Sequence, residues 1–241
     1  MSSLAKHAIL DRDTHRHLRV RTEPGAALGD AIMACLTVPL EFRRVQNEFP
    51  ILFRRNVETG KFSALALMGF ENEENLFLDE GRWDARYRPM AMAIQPFLVG
   101  RPQDDGLAQV HIDLAHPRIA PPGEGVGLFD EMGQPTPHLE KVAAMLGDLD
   151  EGYRASEGFF DALERHDLIE PLAVDVELGD GSKHRLVGYH IINEDRLVAL
   201  DGAALGELHQ AGHLMPIFMA LASLSNLSEL ARRKDGRLQS G

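Results

Sequence analysis

His111 and Asp113, in "HID", have the clearest metal-binding spacing in this chain. On a strand, positions i and i+2 point to one face. An H-x-D pair placed so forms two-thirds of the two-histidine, one-carboxylate set that holds non-haem iron and leaves coordination positions open for oxygen and a co-substrate. A distant histidine must complete that set; His190 is taken as the third ligand, with His138 and His184 the other candidates. The bland alternative is a strand histidine beside a turn aspartate, an arrangement that arises readily in a chain with 11 histidines. In "DTHRH", Asp13, His15 and His17 alternate and would share a face in an extended arm, although no apolar pattern there holds ligands rigid. His209 and His213 lie one helical turn apart, but Gly212 is placed to end or bend the helix between them.

Nucleophilic chemistry has less to stand on. No G-x-S-x-G elbow occurs, and Cys35 sits in the apolar stretch "MACLTV", which raises a thiol's pKa and leaves it inert. The glycines of "GEGVG" follow two prolines and lack the strand-turn-helix setting of a phosphate loop.

A recognition surface is the remaining candidate. In "ENLFLDEGRWDARYRP", which contains the only tryptophan, a strand over 82–88 would put Arg82, Asp84, Arg86 and Arg88 on one face and Trp83, Ala85 and Tyr87 on the other. The arginine face would suit a carboxylate or an acidic peptide, because a guanidinium pairs with carboxylates in bidentate fashion. Alternatively, Trp83 and Tyr87 pack into a sheet core and the arginines balance an acidic surface.

Composition narrows the classes. The formal charge of -12, from 37 acidic and 25 basic residues, opposes binding to phosphate backbones, so no nucleic-acid partner is expected. A single cysteine excludes an internal disulfide framework and a thiolate zinc cluster. Charges interrupt every apolar run of the amino terminus, so no signal peptide is read and a cytoplasmic location is expected. The most apolar stretch, 214–227, is shorter than the roughly 20 residues of a spanning helix and reads as a buried helix rather than a membrane span.

The elements that must position these residues are short and mixed. Residues 1–30 read as a poorly determined arm. Residues 31–120 read as a mainly antiparallel β lobe, with a short amphipathic helix stopping before Pro50, a hairpin turning at "NVETGK", and a second turning at Asp79-Glu80-Gly81. "MAMAIQPFLVG" gives a helical turn then a strand, and "LAQVHIDLAHPRI" another strand. Beyond a Pro- and Gly-rich boundary near Pro121, residues 121–241 read as a helix-rich lobe packed on the first, possible also as one continuous domain with it. There Leu139, Val142, Ala143, Leu146 and Leu149 share a helical face that continues through Tyr153, Phe159, Phe160 and Leu163. A hairpin follows at "LAVDVELGDGSKHRLVGYHI", and then a helical pair with Asp201 as N-cap. The fold class is α+β: an antiparallel meander sheet with packed helices and a helical carboxy-terminal lobe.

The order of "VPLEFRRVQNEFPILF", "ALMGFENEENLFLDEGRWDARYRPMAMAIQPFLVG", "HIDLAHPRI", "GLFDEMGQPTPHLEKV" and "LVALDGAALGELHQAGHLMPIFMALASLSNLSEL" resembles the SapC family of bacterial proteins, named for a surface-layer-associated gene. A peptide-transporter permease shares that name, but a permease needs several apolar spans and this sequence offers none. Residues that match the family pattern include Pro39, Glu41, Phe49, Pro50, Glu74, Trp83, Tyr87 and Pro89, whereas His111 and His213 depart from it. The resemblance implies a soluble accessory or binding protein of a bacterial surface-layer or TonB-dependent uptake system, with a protein or peptide partner and no cofactor. The iron oxygenase using the H-x-D pair is the alternative, and no reaction is implied by the family.

Overall fold

Ile51, Leu52 and Phe53 are buried on both sides of one strand, which marks it as the interior of a sheet. The computed structural model describes residues 6–100, 108–172, 174–179 and 181–240, so expectations for residues 1–5 lie outside the described residues. It shows an α+β fold divided into two compact units: residues 1–31, 78–84 and 90–151 form the first, and 32–77, 85–89 and 152–241 the second. Each unit therefore draws on both halves of the chain, unlike the sequential lobes 31–120 and 121–241 read from composition.

In the first unit, His7–Ile9 pairs with Gln109–Asp113, which also pairs with Phe97–Gly100. Arg19–Val20 pairs with both Ile119–Ala120 and Val126–Gly127. Described residues 6–30 are thus held by strand pairing rather than forming a loose arm. A short helix, Arg12–His15, is capped by the Asp11 carboxylate, which accepts from the backbone N–H groups of Asp13 and Thr14. Buried polar contacts complete the anchoring. The Arg118 guanidinium, 1% exposed, donates to the carbonyls of Arg21 (2.9 Å) and Glu23 (3.0 Å) and to Asp30 Oδ2 (2.7 Å).

The second unit is built on five antiparallel strands in the order Ile169–Pro171, Tyr189–Ile192, Ile51–Arg55, Phe62–Leu67 and Ala34–Thr37. The meander expected from the amino-terminal half is therefore completed by strands from the carboxy-terminal half. Phe53 stands opposite Ala64, and Ala64 opposite Thr37, so these residues share the sheet face on which aromatic side chains gather. Phe53, Phe159 and Phe160 meet there with ring centroids 5.2 to 6.4 Å apart in edge-on arrangements. Phe159 and Phe160 belong to a 29-residue helix, Pro137–Arg165, whose portion from Gly152 onward lies in this unit. Gly152 permits its close approach, since a Cβ there would fall 2.6 Å from Val38 Cγ2. Two positions of that helix differ from the apolar face read in sequence: Ala143 and Tyr153 are exposed.

The helix Leu214–Ser223 buries Ile217, Ala220 and Ser223, and the Ser223 hydroxyl accepts from Ile51 N at 2.8 Å. Its other side is open: Met215 and Phe218 are 54% and 52% exposed, so the stretch is amphipathic rather than wholly buried. Continued through the next turn, the helical run Leu214–Gln239 reaches the length and apolar content of a membrane-crossing helix, with 22% of its apolar window buried. Its later part carries Glu229, Arg232, Arg233 and Lys234.

Candidate functional site

Alternation along Ala34–Thr37 turns Cys35 and Thr37 inward and leaves Leu36 exposed. The chain then enters a single helical turn, Pro39–Glu41, with proline at a first-turn position where its missing N–H costs nothing. That turn returns Glu41 beneath the strand end, 2% exposed. Thr37 Oγ1 donates to Glu41 Oε2 at 2.7 Å, and the Tyr87 hydroxyl donates to Glu41 Oε1 at 2.6 Å. Tyr87 is held in turn by Glu48, whose carboxylate accepts from the backbone N–H groups of Arg86 and Tyr87 at 2.9 to 3.1 Å. The Arg44 guanidinium lies 5.7 Å from the Tyr87 ring centroid.

The electrostatics follow from this burial. Desolvation, with the hydrogen bond to Glu41 and its charge, raises the Tyr87 phenol above its ordinary range. Desolvation and then the Glu41 charge push the Cys35 thiol well above its ordinary value, so it is no nucleophile at neutral pH. Tyr153 is pushed up to about 12, first by desolvation and then by Cys35 and Glu41.

Thr37 and Tyr153 open onto a cleft of about 430 Å³. Ala64, Phe62 and Phe160 supply its apolar surface, while Lys61, Glu157, Asp161 and Glu164 supply charge. Lys61 pairs with Glu157, and Arg55 stands 3.8 Å from Glu164 and over the Phe62 ring at 5.5 Å. An apolar body with a polar group at one end fits such a lining. Glu41 fixes the Thr37 hydroxyl as a donor to its carboxylate.

The residues singled out by spacing fall elsewhere. Arg82 and Trp83 form a two-residue strand opposite Leu78–Asp79, and residues 84–89 are not strand, so no single strand carries the alternating arginine and aromatic faces. Arg82 pairs with Asp79 at 2.9 Å, Arg86 is exposed, Arg88 is half-buried, and Trp83 is half-buried rather than a core residue. Arg82 and Trp83 belong to the first unit and Arg86, Tyr87 and Arg88 to the second.

His111 and Asp113 do lie on one strand, Gln109–Asp113, in the first unit, whereas His190 lies on Tyr189–Ile192 in the second. Asp113 Oδ1 already accepts from Lys6 N and Ala115 N, both at 3.0 Å. The His111 ring covers Gly100 so closely that a Cβ there would fall 2.0 Å from Nε2. Among the described residues no group of three or more His, Cys, Asp or Glu is placed to hold a metal ion.

Spacing did not mark the Thr37–Glu41–Tyr87 cluster. The available signal was the resemblance alone, whose expected pattern takes in both Glu41 and Tyr87, two polar residues distant in sequence.

Fold and cleft together define an α+β protein with an aromatic-lined cleft beside an antiparallel sheet. A SapC family model matches residues 10–230, and the chain belongs to the SapC family. Comparison with curated proteins and with solved structures returns no match.

Proposed function

We propose that this SapC protein is a soluble cytoplasmic binding protein that takes a small ligand with an apolar body into the cleft ending at Thr37. The observation that carries the reading is the cleft itself, about 430 Å³, with phenylalanine walls and a polar inner end built on a buried carboxylate. Such a combination of apolar lining and a few fixed polar groups is the common form of a ligand site. Service to a bacterial surface-layer or TonB-dependent uptake system is the reading that the family resemblance supports, and a protein partner would receive the loaded form. Arg86, with its exposed side chain and its backbone fixed by Glu48, is the best-placed residue of the arginine set for that contact.

The test uses 4-phenylbutan-1-ol as a neutral probe and follows amide NMR shifts. Shifts concentrated at Phe62, Ala64 and Phe160, and abolished in a folded Ser156→Trp variant that fills the cleft, are expected. Shifts scattered over the surface would overturn the reading. Cell fractionation tests the location, with recovery in the cytosol expected. Retention in carbonate-washed membranes would overturn it and give the Leu214–Gln239 run the role of an anchor.

A further inference from the structure

We infer that the cleft selects an amine, a molecule with an apolar and preferably aromatic body and a protonated nitrogen. This rests on the ligand-binding reading above and adds the ligand's charge. Two cations and three carboxylates surround the cleft, and they do not cancel. Lys61 is engaged by Glu157 and Arg55 by Glu164. Asp161, exposed and one turn along the helix from Glu157, also acts on Lys61, so two cations face three carboxylates and one negative charge is in surplus.

The inner end has the same preference for an independent reason. A threonine hydroxyl has one proton and two lone pairs. Thr37, 2% exposed, directs its proton to Glu41, so that hydroxyl has none to give an anionic ligand. The surplus charge favours a protonated nitrogen over a carboxylate, and Thr37 offers a carboxylate no proton. The net charge of -12 draws cations in at long range, in a salt-dependent way.

Three probes with one carbon skeleton separate charge from shape: 4-phenylbutylamine, 4-phenylbutan-1-ol and 4-phenylbutanoate, titrated into the full chain at pH 7 and low salt by calorimetry and NMR. The amine should bind about tenfold more tightly than the carboxylate, with the alcohol between. Asp161→Asn should shrink that gap to about threefold or less, and Ser156→Trp should abolish all three. If the carboxylate binds as well as the amine and Ser156→Trp still abolishes both, the cleft is a ligand site and the amine inference is overturned. An amine preference untouched by Asp161→Asn also overturns the assignment. If none of the probes binds, or binding survives Ser156→Trp, the cleft reading falls and takes this inference with it.

Discussion

Asp30 in the first unit and Glu41 in the second are equally hidden, each 2% exposed; Asp30 meets a guanidinium, and Glu41 gathers hydroxyl donors. Asp30 faces a full positive charge, Arg118 at 2.7 Å, and also accepts from Gly25 N at 2.8 Å. The guanidinium is further held by two backbone carbonyls, so the pair ties three segments of its unit together. Glu41 receives hydroxyl protons from Thr37 and Tyr87, and Thr37 is among the residues that line the cleft. A buried charge closed by a buried counter-charge holds structure in place, because removing either partner strands the other. A buried carboxylate that gathers hydroxyls fixes the direction in which those hydroxyls donate.

The largest effect should come from breaking the first arrangement. Asp30→Ala leaves Arg118 charged and enclosed, and should cost about 3–5 kcal/mol in urea unfolding followed by Trp83 fluorescence. A loss below about 1 kcal/mol would mean that water reaches Arg118, and the contrast with Glu41 would disappear. Tyr87→Phe, which removes one hydroxyl and leaves Glu41 its bond from Thr37, should cost about 1–2 kcal/mol. A cost matching that of Asp30→Ala would place Glu41 in the structural class instead.

Alkaline pH tests the same site without mutation. Tyr153 and Tyr87 both have folded-state pKa values above the ordinary phenol value, so the unfolded chain loses these protons first. Stability from this source is complete below pH about 10 and falls as pH rises toward the folded values. Absorbance at 295 nm should show Tyr153 ionising at about 12, and Tyr153→Phe should flatten the stability loss above pH about 10. Ionisation of every tyrosine near its ordinary value would place the Tyr153 hydroxyl in water.

Smallest of all should be Lys61→Met, which breaks an exposed pair with Glu157. Its melting temperature should not move measurably, while affinity for 4-phenylbutylamine should rise because Glu157 is freed. An unchanged or weakened affinity would count against charge selection at the cleft mouth.

Local chemistry was readable in the sequence wherever the responsible residues are neighbours. Gly60 closes its hairpin in the left-handed region, with φ of 71°. Asp201 caps its helix by accepting from Ala204 N at 2.9 Å, and the turn at Asp79-Glu80-Gly81 joins two short strands. The α+β class and SapC membership followed from such signals together with the order of the segments.

Pairings between distant strands were not readable. Tyr189–Ile192 enters the sheet beside Ile51–Arg55, and no feature of either segment names the other. Alternation also misled at 82–88, because the backbone N–H groups of Arg86 and Tyr87 donate to the Glu48 carboxylate rather than to a neighbouring strand. The cluster at Glu41 was hidden for the same reason. Its tyrosine arrives from 46 residues away, beyond the reach of any periodicity.

Gly152 acts at a distance from the cleft as a spacer set to zero thickness. Neither it nor Val38 lines the cavity, yet their contact fixes how near the helix bearing Tyr153 and Phe160 can come to the sheet bearing Thr37 and Ala64. One added methyl group would move a whole wall, changing the bore of the cleft while leaving every lining residue in place. Relatives with alanine or serine at this position would then share the same lining and accept bulkier guests.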